Sequence, residues 1–223
     1  MKARLIGYTQ TPSGDFIGVD DLQDFVAYCA RVSNPTNQMS SATAEKLIRY
    51  LIKHKHWSPL EMASATMEIE TTRDIARQLL RHRSFSFQEF SQRYANPADM
   101  GETFVLSEAR LQDHKNRQNS IETNDVDLQS AWNLQQQNVI DQAKKAYNWA
   151  IDNGIAKEQA RKVLPEGLTL SRLYANGTLR SWIHYIELRS GNGTQKEHME
   201  LARECGKAIS KIFPLAEDLI QGE

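Results

Sequence analysis

The sequence predicts an α+β, helix-rich single domain over residues 1–223, built around a small mixed or antiparallel sheet. Three observations carry this prediction. Apolar side chains recur at helical spacing in several windows, among them Leu47, Ile48, Leu51 and Ile52. Two stretches, 4–8 and 62–72, instead have strand character, the second holding Thr66, Ile69, Thr71 and Thr72. No repeat, low-complexity tract or linker divides the chain.

The elements follow in order. Residues 4–8 form a short strand that the turn-rich Thr11-Pro12-Ser13-Gly14 ends. Asp20 and Gln23 form a capping-box-like start for a helix through about Val32, which Ser33-Asn34-Pro35 stops. A second helix runs over about 42–54, until Trp57-Ser58-Pro59 breaks the pattern before the strand at 62–72. Residues 74–81 are helical, with Ile75, Ala76, Leu79 and Leu80 on one side and Arg77, Gln78 and Arg81 on the other. Residues 83–97 read mainly as loop. The middle, 107–153, reads as two helices around a polar break at 119–125, with Val139, Ala143, Ala146 and Ala150 as the buried stripe of the second. A short helix at 156–161 precedes Leu164-Pro165-Glu166-Gly167, and 168–178 receives no assignment. Another helix covers about 179–189. The loop Ser190-Gly191-Asn192-Gly193 leads to a last helix capped reciprocally by Thr194 and Glu197.

Composition bounds the function. A chain of 223 residues buries roughly three-quarters of its unfolded surface, so no disulfide or metal staple is needed. The formal charge is −1, from 27 basic and 28 acidic side chains, so anion binding is local and no nucleic-acid partner is expected. Cys29 and Cys205 form neither a framework nor a C-x-x-C pair, which fits a reducing compartment. No stretch reaches the ~18 apolar residues of a membrane span, and no signal-like segment opens the chain, so a soluble cytoplasmic protein is expected, in the host cytoplasm if the source is viral.

Chemistry concentrates in Arg81-His82-Arg83-Ser84-Phe85-Ser86-Phe87-Gln88-Glu89-Phe90-Ser91-Gln92-Arg93-Tyr94. The rigid guanidinium fork suits phosphate, each charge-assisted bond being worth roughly 1.5–3 kcal/mol. Three such cations in fourteen residues repel one another unless an anion or carboxylate sits among them. On composition alone, a solvated basic helix end complementing the helix dipole accounts for the cluster equally well. An anionic ligand with several phosphates would explain the arrangement as well.

The order of the motif decides between them. Arg81, His82, Arg83, seven intervening residues and Ser91 match the signature of the flavin-dependent thymidylate synthases. Cys29-Ala30-Arg31-Val32-Ser33 resembles that family's Ala-Arg-Val-Ser helix, and Lys53-His54-Lys55-His56-Trp57-Ser58-Pro59-Leu60-Glu61 resembles its His-Gly-His-x-Ser/Thr-Pro-x-Glu segment. Ala160-Arg161-Lys162-Val163-Leu164-Pro165 and the stretch from Leu179 to Arg189, followed by Gln195 and Glu197, resemble its later motifs. Only about 98–155 is unmatched.

The resemblance implies the thymidylate synthase-complementing protein fold and the reductive methylation of dUMP to dTMP. Methylenetetrahydrofolate would be the carbon donor, FAD the hydride carrier and NADPH the reductant. It implies a homotetramer whose sites form between subunits. Residue by residue, it places His56, Ser58, Arg81, His82, Arg83, Glu89, Thr178, Arg180 and His184 at the flavin. It places Gln78, Arg81, Glu89, Ser91, Gln92, Arg93, Arg161 and Arg189 at dUMP, Arg161 through the phosphate and Arg189 at the pyrimidine edge as the catalytic residue. The chain departs from the pattern at Thr178, where many relatives carry Asn, with Asn176 nearby. His184 stands where some members have Asn.

Two rival readings stay open at this stage. One is an RNA- or phosphate-binding module using the cluster at 81–93. The other is a cysteine-dependent pyrimidine methyltransferase, against which Cys29 and Cys205 read as buried structural thiols. In the flavin reading no protein nucleophile is needed, because the Arg189 charge stabilises negative charge developing on the ring. No Ser-His-acid order activates Ser91, which is cast as a binding hydroxyl. His54, His56 and Glu61 suit a metal poorly at a helix end, and none is expected. Trp132, Trp149 and Tyr147 read as core or interface, and Lys144-Lys145 as a solvated face.

Overall fold

The computed structural model describes residues 1–12, 19, 21–191 and 193–219. In chain order these contain β1 (Lys2–Tyr8), α1 (Leu22–Ala30), α2 (Ala44–Lys53), β2 (Ser64–Thr72), α3 (Arg73–Leu79) and β3 (Ser86–Glu89). There follow β4 (Arg110–Gln112), β5 (Ser120–Glu122), α4 (Val126–Asp152), α5 (Lys157–Ala160), β6 (Leu170–Thr178), α6 (Leu179–Ser190) and α7 (Lys196–Ser210). The α+β, helix-rich expectation holds, and the main sheet is antiparallel throughout, in the order β1-β2-β6-β3.

The sheet is half-buried, which is why its strands alternate. In β2 the inward set is Ala65, Met67, Ile69 and Thr71; in β6 it is Ser171, Leu173, Ala175 and Gly177. Helices α6 and α7 cover that face with Trp182, Tyr185, Ile186, Leu201, Cys205 and Ile209, all fully buried. Trp182 also donates its indole N–H to the Ala65 carbonyl at 3.0 Å, satisfying its one polar atom inside the core. Gly177 lets the Phe85 ring lie against β6: a Cβ there would meet the ring at 2.5 Å. Phe85 in turn meets Trp182 edge-on at 4.6 Å between ring centres.

The missing element in the sequence reading is β6, the centre of the sheet. Its inward positions are filled largely by small residues, Ser171, Ala175 and Gly177, so its hydrophobic alternation is faint. β3, within the stretch expected to be loop, is four residues long and polar, and among the described residues it pairs with β6 alone. Between 107 and 125 there is no helix; β4 and β5 form a hairpin. The Asp113 carboxylate accepts from the Lys115 and Asn116 N–H groups, and Asn116 accepts from Gln118, turn chemistry that outcompetes helix.

The long helix α4 is present, but its buried stripe is Gln136, Ile140, Ala143, Tyr147 and Ala150, rotated from the expected one. Val139 and Ala146 face outward, as do Trp132 and Trp149, which are therefore not core residues of the chain. Tyr147 is buried, and Lys144 lies over the Phe104 ring at 5.5 Å.

Asp21, rather than Asp20, caps α1, accepting from the Asp24 N–H at 2.8 Å; Ser13, Gly14, Asp20 and Asn192 lie outside the described residues. Thr194 does not cap α7: the N-cap is Gln195, without a side-chain cap bond, because Glu197 is engaged by Arg110. Two helices end in the same motif. After α4, the Ile155 and Gly154 N–H groups reach back to the carbonyls of Ala150 and Ile151, with Gly154 at φ 75°. After α2, His56 and Lys55 reach back to Leu51 and Ile52 in the same way, but the left-handed residue is Lys55, at φ 57°.

Candidate active site

The carboxyl end of α3 unwinds at the motif. The Arg81 N–H bonds to the Gln78 carbonyl and the His82 N–H to that of Leu79, so the three basic side chains fan out as the helix tightens. Arg81 and Arg83 are exposed and make no ion pair among the described residues. His82 instead turns inward, edge-on to Tyr185 at 5.0 Å. There its Nε2 accepts the Nε hydrogen of Arg189, in the last turn of α6, at 3.2 Å. Burial, then the charges of Arg189 and His184, push the His82 pKa down to about 4, so the ring is neutral and able to accept.

Beside this pair, Gln78 bonds to Gln195 at 2.7 Å and to His198 at 3.1 Å. One neighbourhood thus collects Gln78, His82, His184 and Arg189. His198 was not anticipated. Its signal was an imidazole on the apolar stripe of α7, three residues before Leu201 and seven before Cys205.

A second neighbourhood forms around Glu89 at the end of β3. Its Oε1 accepts from the Ser171 hydroxyl at 2.9 Å and lies 3.3 Å from Nη1 of Arg73. Arg73 is nearly buried; burial lowers its pKa, Glu89 offsets that, and the charges of Arg77 and Arg161 add to it. This places the Arg161 charge close by. Arg73 was also missed, although a charge three residues before Ala76 on the apolar face of α3 marks it. Arg93 pairs with Glu158 at 3.5 Å. Ser91 accepts from the Arg93 N–H at 3.4 Å, and Gln92 is buried with its Nε2 unpartnered. Ala160, buried, anchors the turn from which Arg161 projects.

The third neighbourhood lies at the start of β2. His56 follows the α2 terminus, its ring 6.0 Å from that of Tyr50 and 6.2 Å from that of His54, and Arg180 of α6 pairs with Glu61 on the short turn that begins at Ser58. Thr178 is occupied as the N-cap of α6: its hydroxyl accepts from the Ser181 N–H at 3.3 Å. Asn176 is turned to Thr66 at 2.7 Å. Arg31, from the first matched motif, is buried and ties the end of α1 to Ser40 and Thr43.

Arg81, Arg93, Arg161 and Arg189 therefore lie on separate elements, and a cavity of about 550 Å³ between Arg110, Trp132, Leu168 and Gln195 is lined by none of them. Neither thiol suits nucleophilic work. Cys205 is fully buried and its pKa is raised by burial and Glu204; Cys29 is half-buried and also raised by burial.

The described residues combine an antiparallel sheet backed by two helices, an arginine–histidine pair, guanidinium groups carried on several elements, and two thiols whose pKa values are raised. The chain belongs to the thymidylate synthase complementing protein family, whose model matches residues 17–215. It is 50% identical over 214 residues to a probable flavin-dependent thymidylate synthase of Paramecium bursaria Chlorella virus 1, covering 96% of both chains. It is 46% identical over 192 residues to the flavin-dependent thymidylate synthase of Synechocystis, covering 86% of each. Among solved structures it resembles the UMP/dUMP methylase PolB of Streptomyces cacaoi bound with 5-Br dUMP, at a TM-score of 0.78 and 26% identity over 98% of this chain and 93% of that one.

Proposed function

We infer that the chain is a flavin-dependent thymidylate synthase, a methyltransferase that converts dUMP to dTMP. Methylenetetrahydrofolate is the carbon donor and NADPH the reductant. The observation that carries this reading is the Arg189–His82 pair beside Gln78, which joins the last matched motif to the central one.

FAD fits the residues present: Arg81 and Arg83 are exposed cations without a carboxylate partner among the described residues, a donor set suited to a pyrophosphate. His56, Ser58, Arg81, His82, Arg83, Glu89, Thr178, Arg180 and His184 would hold it. Bound FAD supplies the hydride chemistry that no side chain can provide. Gln78, Arg81, Glu89, Ser91, Gln92, Arg93, Arg161 and Arg189 would hold dUMP, Arg161 at its phosphate. Arg189, permanently charged, stabilises negative charge on the pyrimidine as C5 becomes electron-rich, and neutral His82 keeps its fork from turning away. The same reading gives a homotetramer in the cytoplasm, each site completed by residues of more than one copy. No helix among the described residues is long and apolar enough to cross a membrane.

The test is direct. Purified protein should be yellow and form dTMP from dUMP, methylenetetrahydrofolate and NADPH. A colourless protein that binds RNA in a salt-sensitive way, and makes no dTMP with added FAD, would overturn the reading.

A further inference from the structure

A directed chain of hydrogen bonds runs from the surface at Gln195 inward to the buried His198, beside Arg189. Glu197 sets its outer end. Burial alone would raise the pKa of this carboxyl, but hydrogen bonds from Arg110, its own backbone N–H and Gln195 hold it below the usual range, so it can only accept. Gln195 must therefore turn its NH₂ toward Glu197, at 3.0 Å, leaving its carbonyl for the Gln78 NH₂ at 2.7 Å. The Gln78 carbonyl then faces His198 Nδ1 at 3.1 Å, and Nδ1 must carry the hydrogen. The carboxylate orients Gln195, and the Gln78 amide is held at both ends, its NH₂ by Gln195 and its carbonyl by His198.

His198 is built to hold that last position. It is fully buried, tilted against Tyr185 at 5.7 Å and edge-on to His82 at 6.3 Å. Its Nε2 has no partner. The ring therefore makes a single directed bond, to Gln78. A leucine would pack in this slot without leaving a polar atom unpaired, so the imidazole costs stability that only the bond to Gln78 offsets.

We propose that His198 is a positioning residue for the pyrimidine nucleotide, fixing which way the Gln78 amide faces. Gln78 then offers its remaining N–H and remaining lone pair in one arrangement, ready for a base or sugar that presents the complementary pair. Without His198 the Gln78 carbonyl loses its donor and only the exposed bond to Gln195 still orders the amide, so a donor meets a donor in part of the population. The inference rests on the reading of Gln78 as a dUMP contact.

The test uses the full FAD-loaded chain with His198→Leu and His198→Asn, the Asn amide N standing close to the place of Nδ1. His198→Leu is expected to raise KM for dUMP about three- to tenfold, the worth of one hydrogen bond, with kcat within about twofold and FAD content unchanged. His198→Asn should return KM to within about twofold of the parent. Unchanged KM in His198→Leu, or Asn no better than Leu, overturns the proposal, as does a parallel fall in kcat, FAD content and Tm. Should His198→Leu fail to fold, Gln195→Leu, at an exposed position, cuts the same relay one link upstream and should raise KM similarly; unchanged KM there also overturns it. A parent chain that forms no dTMP refutes the functional reading instead, and calorimetric dUMP affinity of the same variants then tests the relay alone.

Discussion

Arg189 and His82, 107 positions apart in the chain, are joined by one hydrogen bond in which the guanidinium Nε donates to the imidazole Nε2 at 3.2 Å. The bond spends one of Arg189's five donors and leaves the two terminal nitrogens of the fork for a ligand. Arg189→Ala should therefore lower kcat about a hundredfold or more, the usual cost of losing a donor aimed at developing charge, while FAD content stays within about twofold. Rapid-quench turnover and the flavin absorbance of the purified variant check this; equal loss of both would place Arg189 at the flavin.

Acid should weaken the fold through the two interior imidazoles. His82 and His198 both have pKa values pushed from 6.5 to about 4, chiefly by burial and next by Arg189. Their depressed folded-state values mean that the unfolded chain binds more protons between the two pKa values. The stabilising effect of keeping them neutral is full above 6.5 and lost as pH falls toward 4. Urea titrations at about pH 7.5 and about pH 5 should show a loss of about 2 kcal/mol from His198 alone, absent in His198→Asn.

Lys55 holds a backbone conformation that glycine adopts freely, at φ 57° after α2. Lys55→Gly should raise stability by about 0.5–1 kcal/mol, the relief of left-handed strain less the added freedom of the unfolded chain. A thermal melt that falls instead would show the Lys55 side chain contributing more than its strain costs.

The two thiols should be dispensable for chemistry. Cys29→Ala and Cys205→Ala are each expected to keep kcat within about threefold, although Cys205→Ala should lower Tm because it opens space beneath Tyr185 and Leu201. Loss of turnover in a folded Cys29→Ala protein would point to a thiolate nucleophile.

What was legible in the sequence followed from strength of pattern. The helices at 44–53 and 179–190 were readable because large apolar residues mark their stripes, and the Arg81-His82-Arg83 motif because three cations so close together demand an explanation. β6 was not, since a strand whose inward side chains are Ser171, Ala175 and Gly177 leaves little hydrophobic trace. Arg73 and His198 escaped for a related reason. Each is a polar residue on an apolar face, and its partner, Glu89 or Gln78, is distant in sequence. Thr178 could be matched to a motif, but not seen as the cap whose hydroxyl the α6 backbone already uses.

The pairing of Ser64 with Thr178 and of Thr72 with Leu170 has a consequence for the chain as it leaves the ribosome. β1 and β2 are synthesised about a hundred residues before β6, so the nascent strand pair waits with one edge bare and its Met67 and Ile69 face uncovered. Until residue 178 has emerged, the growing polypeptide is a sticky template for neighbouring strands. Fragments that stop short of the last two helices should collect in inclusion bodies.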